Sequence, residues 1–427
     1  VTIPDVAPIL VREIELTEPL SGVRRPKRSG RPYESVRFLV RLARRPIGYA
    51  TVGFDGDNIS PEQLAHEIWE QVKVDVATVL VRNERAVPAY LPVEGLEGLP
   101  FARRPETPMV SVVMCTRNRP EGAYKTLKDL CNLGYEDFEV IVVDNASSDD
   151  ATKEMVERDF SDDRRVRYVR ENKPGLSFAR NRGIAEARGS IVAYTDDDVR
   201  VDRWWLDAIV SGFFQSNNVG CVTGLVPTAE LETAVEQYFD SRYTWGTRFD
   251  PVVYDYEDKT DGTVIYPYSP GIFGTGANFA FDLATIKAVG GFDESLGAGT
   301  PSGGGEDLDA FIKVLRSGKE LVQEPAAIIW HVHRATVDEL SKQLFNYGVG
   351  LSAFIFKYLI NPATTFAVLK RLVPGVLKLG SIAGSATSTA TLPKAVLAQE
   401  FKGMAYGPVA YVKGQLNRKR IKAGARG

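Results

Sequence analysis

Between Met109 and Arg200, short β-branched apolar runs alternate with segments of helical spacing, and this alternation restricts the fold more than any other feature of the chain. MVSVVMC (Met109–Cys115) stops at the polar loop TRNRP (Thr116–Pro120). EVIVVD (Glu139–Asp144) stops at NASSDD, VRYVRE (Val166–Glu171) stops at NKPG, and SIVAYTDDD (Ser190–Asp198) ends in three acids. AYKTLKDLCNL (Ala123–Leu133) and LSFARNRGIAEAR (Leu176–Arg188) lie between these runs with helical spacing. Strands of this length separated by single helices predict right-handed β-α-β crossovers around a mostly parallel sheet buried on both faces. Ligands of such a sheet bind at the carboxyl ends of its strands, where loops and helix N-termini gather. Thr116, Arg117 and Arg119 follow the first strand, Asp144 ends the second, and Asp196, Asp197 and Asp198 end the fourth. Three strands thus bring polar groups to one edge.

The rest of the chain is read around that core. At 427 residues it has room for two or three domains. Its 44% apolar and 25% charged content is ordinary for a globular protein, and a formal charge of −3 predicts no general affinity for nucleic acid. Cys115, Cys131 and Cys221 show no CxxC spacing and read as reduced thiols of a cytosolic protein. The opening VTIPDVAPILVREIEL lacks the basic and apolar regions of a secretion signal.

Residues 1–106 read as a small α+β accessory domain plus linker. VREIELTEPL and SVRFLVRLARRPIGYATVGF are β-rich, with RRPIG as a hairpin turn and Arg24–Arg31 as an exposed basic loop. Ile59–Glu84 reads as a helix capped by Ser60 with Pro61 in its first turn, and Leu64, Ile68, Val72 and Val76 share one face. His66 is isolated there and reads as a surface or packing residue. Pro92–Pro108 is rich in Pro and Gly and reads as the linker.

From Met109 onward VSVVMCTRNRP, EVIVVDNASSDD, NKPGLSFARNRG and the TDDD run are followed by GTGANFAF (Gly274–Phe281), GGFDESLG (Gly290–Gly297) and GGGEDLDAFIKVLRSG (Gly303–Gly318). In this order the motifs resemble an inverting family 2 glycosyltransferase of the GT-A fold, over about Pro108 to Tyr347. The resemblance implies a Rossmann-like mostly parallel sheet flanked by helices as a catalytic domain over 107–343. It also implies transfer of a sugar from a nucleotide-sugar donor, a UDP-sugar, to a hydroxyl acceptor that is a glycan, lipid-linked, or a small molecule or peptide.

The expected roles follow the residues. Asp144 can accept a hydrogen bond from a base N–H, and the resemblance places it beside a uracil-like base; a carboxylate there also suits capping of the next helix. Thr116, Arg117 and Arg119 lie in the loop expected to wrap the nucleotide. Lys173 and Arg180 offer charge to the diphosphate, with Gly175 leaving room for the backbone to approach. Three adjacent carboxylates repel one another, and a divalent cation relieves the repulsion. The resemblance gives Asp196 to the ribose or metal and Asp198 to a Mn2+ or Mg2+ ion, hard cations suited to oxygen ligands. Asp307 is the expected catalytic base with Glu306 as its neighbour, at the start of a helix ending at Gly318. In WHVHR (Trp330–Arg334), His331 and His333 project on one side at period two, and the resemblance implies that one or other of them joins the metal or diphosphate. Tyr238, Tyr243, Trp245, Tyr254, Tyr256, Tyr266 and Tyr268 crowd one stretch, as an acceptor wall or as core.

Residues 344–427 read as a basic amphipathic helical tail. Leu344–Ile360 is apolar but interrupted and too short to span a bilayer. Beyond it Lys and Arg residues interleave with Leu, Val and Phe, which suits an interfacial helix on an anionic membrane surface or a helix packed on the catalytic domain. Ser381–Pro393 reads as a flexible connection. The expected location is cytoplasmic, peripheral on the inner face of the membrane. Two other function classes compete. A dinucleotide oxidoreductase needs a G-x-G-x-x-G after the first strand, where TRNRP stands instead. A catalytically silent nucleotide-sugar-binding or scaffold protein of the same fold would have no need for both the Asp196–Asp198 and the Glu306-Asp307 groups.

Overall fold

A computed structural model describes residues 6–28, 31–97, 107–243, 245–257, 265–269, 271–371 and 394–424. Parts of the basic loop and of the linker, and all of Ser381–Pro393, lie outside these residues.

The central sheet has nine strands. From one edge the order is Val166–Glu171, Phe138–Asn145, Val110–Thr116, Ile191–Thr195, Asn278–Asp282, Val219–Leu225 and Glu320–His331, with Val199–Val201 and Val252–Tyr254 on the far side of the last. The first four pair in parallel. Asn278–Asp282 runs against both of its neighbours, so Val219–Leu225 and Glu320–His331 again point the same way as the first four. Six carboxyl ends, at Glu171, Asn145, Thr116, Thr195, Leu225 and His331, therefore share one edge.

The apolar runs form strands because both of their faces are covered. Val110, Val112, Met114, Val140, Val142, Ile191 and Ala193 belong to one core with Leu127, Leu130 and Trp205 from the helices Pro120–Cys131 and Trp205–Phe213. The alternate residues Val113, Ile141, Val143, Val192 and Tyr194 belong to a second core with Ala179, Phe311 and Phe354 from Leu176–Glu186, Glu306–Arg316 and Val337–Leu359. Period-two alternation with no polar side is what a doubly covered sheet requires.

Among the described residues up to 97, a three-stranded sheet of Ile9–Glu15, Ser35–Leu42 and Arg45–Gly53 is backed by the helix Pro61–Arg82 in an α+β unit. Ser60 caps that helix by accepting from the Gln63 amide, Leu64, Ile68, Val72 and Val76 are buried, and His66 is exposed. The hairpin turns at Ala43 and Arg44, both with positive φ, so the turn overlaps RRPIG only at Arg44, and Arg45–Gly48 already belong to the next strand. This unit is not insulated from the main sheet. Val11 and Leu39 share a core with Leu225, Ile328 and Trp330. The buried Arg41 guanidinium donates to Asp202 at 2.8 Å.

The end of the described chain is helical. Val337–Leu359 begins at a Thr336 cap and packs along its length against Lys394–Gly424. The two backbones nearly touch: a Cβ on Gly348 would run into the Glu400 carbonyl, and one on Gly403 into the Phe345 carbonyl. Part of the helix's basic charge faces protein, with Arg418 and Lys422 paired to Glu294. No helix among the described residues is long and apolar enough to cross a membrane.

Candidate active site

Register brings the expected polar residues together. Thr116 sits opposite Asp144 across the first strand pair. The acidic turn after Ile191–Thr195 continues into Val199–Val201, and Val199 pairs with His331. A strand carrying acids at one end is thereby stitched to a strand carrying histidine at the other. Ligand atoms of Asp196, Asp198 and His331 lie within 4.8 Å of one another.

Each acid has a different environment. Asp197 is buried and accepts from the Thr116 hydroxyl at 2.7 Å and from Arg119 at 2.8 Å. Asp198 receives Arg119 at 3.1 Å, with His331 Nε2 and Arg334 each 3.9 Å away. Asp196 lines the cavity and is half-buried, with 34% of its side chain exposed. Burial pushes its carboxyl up to about 7, Arg180 opposes the shift, and Asp198 and Asp197 add to it. Such crowding of like charge is what a cation would relieve. Burial holds the His331 imidazole below its usual range, hence neutral, and its Nδ1 is buried without a hydrogen-bond partner. Neutral imidazole is the ligating form.

His333 lies beside His331 with ring centroids 4.9 Å apart, yet it stands outside the Asp196, Asp198 and His331 cluster. Its ring packs on Phe239 at 4.1 Å, and burial drives its basicity down to about 3. Period two does place the two rings on one side; Phe239 takes up the second.

Arg180 links the acids to the glycine-rich motif. It is 3% exposed, donates to Glu306 at 2.8 Å and to the Gly276 carbonyl at 2.8 Å, and lies 3.9 Å from Asp196. Burial raises the Glu306 carboxyl above the usual carboxylate range although Arg180 sits against it, and Glu306 Oε2 has no partner. Asp307 is the next residue and lines the same cavity of about 720 Å3 as Asp196, Arg180, Glu306 and His331. The helix Glu306–Arg316 starts there because Gly305 is left-handed, with φ of 87° and no side chain to clash with the Gly350 carbonyl. Three acids in its first turn suit the positive end of the helix.

The remaining expected residues are spread along the edge. Asp144 is fully buried and accepts from the Ser147 hydroxyl, from the Tyr168 hydroxyl at 2.7 Å and from Arg170 at 3.4 Å. Asn145 holds the following loop by accepting from the Gly175 amide at 2.9 Å and donating to the Lys173 carbonyl at 2.8 Å. Lys173 is half-buried there, and Arg117 is exposed near Gly299. Of the crowded aromatics, Tyr238, Tyr254, Tyr266 and Tyr268 are core, while Tyr243 and Trp245 line the cavity. Sequence reasoning missed Ser147, Tyr168 and Arg170 around Asp144, and Arg242, Tyr347 and Glu400 in the cavity wall. Glu400 did carry a signal, as the lone acid in a basic tail.

Comparison with known proteins bears on the same stretch. The family model described as glycosyl transferase family 2 matches residues 111–273. A pre-mycofactocin glycosyltransferase of Mycobacterium tuberculosis is 27% identical over 242 residues, covering 56% of this chain and 46% of that protein. A GalNAc(5)-diNAcBac-PP-undecaprenol beta-1,3-glucosyltransferase of Campylobacter jejuni is 36% identical over 115 residues, covering 26% of this chain and 36% of the other. The chain thus spans half or less of the length of these curated relatives. A mannosyltransferase of Pyrobaculum calidifontis, solved with GDP-Man and Mn2+, superposes with a TM-score of 0.45 at 19% identity, over 73% of this chain and 87% of that one. Residues 111–273, which match the family model, carry the acidic turn and Arg180.

Proposed function

We propose that the chain is a metal-dependent inverting glycosyltransferase that moves a sugar from a nucleotide-sugar donor, a UDP-sugar first among candidates, to an acceptor hydroxyl. One observation carries the reading: the Arg180 guanidinium contacts Glu306 and lies 3.9 Å from Asp196, and Asp196 and His331 open onto the same cavity as the Glu306 and Asp307 carboxylates. Asp196, Asp198 and His331 would hold a Mn2+ or Mg2+ ion, which when bound supplies positive charge to a departing diphosphate. Arg119, Lys173 and Arg180 add fixed positive charge around the same group. Thr116 and Asp144 border the nucleotide.

Asp307 takes the proton. The acceptor oxygen forms a bond to the anomeric carbon as the bond from that carbon to the phosphate oxygen breaks. The bonding pair leaves with the nucleoside diphosphate, and the hydroxyl proton passes to Asp307. Glu306 keeps Arg180 in place beside it. Incubating the full chain with UDP-glucose, UDP-galactose, UDP-N-acetylglucosamine or GDP-mannose and Mn2+, then measuring nucleoside diphosphate release, tests the reading. Release from at least one donor that stops with EDTA supports it. Tight nucleotide-sugar binding with no turnover on any acceptor would favour a silent binding protein of the same fold.

The outward face of the last helix favours a peripheral membrane position. Phe401 is 71% exposed, and Val409, Val412 and Leu416 continue its stripe, with Lys402 and Lys413 beside them. Apolar side chains edged by lysine suit an anionic bilayer surface. Co-sedimentation of the full chain with phosphatidylserine vesicles should be lost in high salt and in Phe401→Asp. Equal pelleting with purely zwitterionic vesicles counts against it.

A further inference from the structure

The cavity that holds Asp307 has a second wall. Tyr243 and Trp245 stack on each other with centroids 4.7 Å apart and an interplanar angle of 21°. Phe239 backs Tyr243 at 4.4 Å, and Tyr347 stands edge-on to both stacked rings, at 5.9 and 6.2 Å. Gly271, with φ of 75°, lets the backbone press on the indole: a Cβ there would come within 2.7 Å of Trp245 Nε1. Beside the rings Arg242 is paired with Glu400, which arrives from the helix Lys394–Gly424. Trp245, Tyr347, Arg242 and Glu400 all line the cavity with Asp307. His333 lines it too, and its Nδ1 is buried without a hydrogen-bond partner.

We infer that Trp245, Tyr347 and the Arg242–Glu400 pair form the acceptor subsite, and that the acceptor group they take is a pyranoside ring. This rests on the glycosyl-transfer reading of the cavity. A pyranoside has an apolar C–H face and a rim of hydroxyls. An indole bounded by a carboxylate and a guanidinium offers a surface for the first and hydrogen-bond partners for the second. An isoprenoid or acyl chain fits poorly, because it would strip water from Glu400, Arg242 and His333 and return no hydrogen bonds. A cavity of about 720 Å3 has the size of a small-ligand site. The subsite is built by distant parts of the chain, so Glu400 makes the last helix part of the substrate site as well as a buttress. Close contact of the two helices sets its position, since the Glu400 backbone lies directly on Gly348.

The test uses the full chain with Mn2+ and either UDP or GDP present. Binding of methyl glycosides of glucose, galactose, mannose and N-acetylglucosamine is read by saturation-transfer NMR, with farnesyl phosphate as the rival class. At least one glycoside should bind. Its affinity should fall about tenfold in Trp245→Ala, the range of one lost aromatic contact, and recover in Trp245→Phe. It should also fall in Glu400→Gln. Calorimetric nucleotide affinity should stay unchanged in all three variants, which also shows that they are folded. Nucleotide binding without any glycoside binding overturns the inference and leaves the donor reading standing. So does glycoside binding indifferent to both sites, or farnesyl phosphate binding that Trp245→Ala abolishes. Failure of both nucleotides to bind overturns the donor reading itself; glycoside binding sensitive to Trp245 in that case still supports the sugar subsite.

Discussion

At the sheet edge, Thr116, Asp144 and Asp196–Asp198 are positioned by the hydrogen-bonded strands that carry them. Across the cavity, Trp245, Tyr347 and Glu400 come from three segments that meet only when helices pack. The edge is tied by short polar bonds, as between Thr116 and Asp197, and by register, as between Val199 and His331. The opposite wall is held by ring contacts and by two helices whose glycines let their backbones touch. A polar edge on a doubly buried sheet is rigid and hard to alter piecemeal. A wall made of side-chain contacts between helices can change its lining without disturbing the sheet. In the proposed enzyme the first region serves what every donor shares and the second serves what distinguishes acceptors.

The largest effect that could break this comparison lies where the two regions meet. Asp307→Asn retains size but takes no proton, and single-turnover transfer should slow by roughly 10²–10⁴-fold. Donor affinity should stay constant. If donor affinity falls while the rate holds, Asp307 belongs to the edge. Next in size, Asp198→Asn should weaken nucleotide binding in Mn2+ by about 10- to 100-fold, and EDTA should have the same effect on the unaltered chain. Calorimetry with UDP checks both, and glycoside binding should survive the substitution.

These two experiments also mark how much of the site was legible beforehand. The acids after SIVAYT and the residues after VSVVMC could be placed because a strand end is a local feature: an apolar run stops and polar residues begin. Burial on both sides, visible as uninterrupted Val and Ile, fixed the sheet for the same reason. Glu400 could not be placed, since its neighbour Arg242 is 158 residues away and nothing in either segment encodes the helix contact. His331 and His333 are equivalent at period two; only Phe239, from a remote helix, separates them. The hairpin turn was read over RRPIG, whereas the two positive-φ residues are Ala43 and Arg44, only the second inside that stretch, and neither side chain advertises such a turn.

Two smaller changes sharpen the contrast. Gly403→Val puts a branched side chain against the Phe345 carbonyl, and overpacking of this kind costs about 1–3 kcal/mol. Thermal unfolding should shift down, and the Michaelis constant for acceptor should rise while nucleotide affinity is kept. Loss of nucleotide binding there would mean that the helix pair supports the edge as well. Thr116→Val removes one hydrogen bond to Asp197, worth about 1 kcal/mol. Arg119 still holds that carboxylate, so nucleotide binding should weaken by only about fivefold and glycoside binding should not respond.

The contact of Gly348 and Gly403 with the facing backbone also has a consequence in time. Protein synthesis runs from the amino end, so the strands, the acidic turn and the helix bearing Asp307 all leave the ribosome before Lys394–Gly424 does. A growing chain can complete its nucleotide edge while one side of the cavity still lacks Glu400. Glycine set against backbone, together with the ion pairs to Glu294 and Arg242, decides where the final helix comes to rest. The wall proposed to choose the acceptor thus includes the last-synthesised residue of the cavity lining, Glu400, which is made only after every residue of the sheet edge.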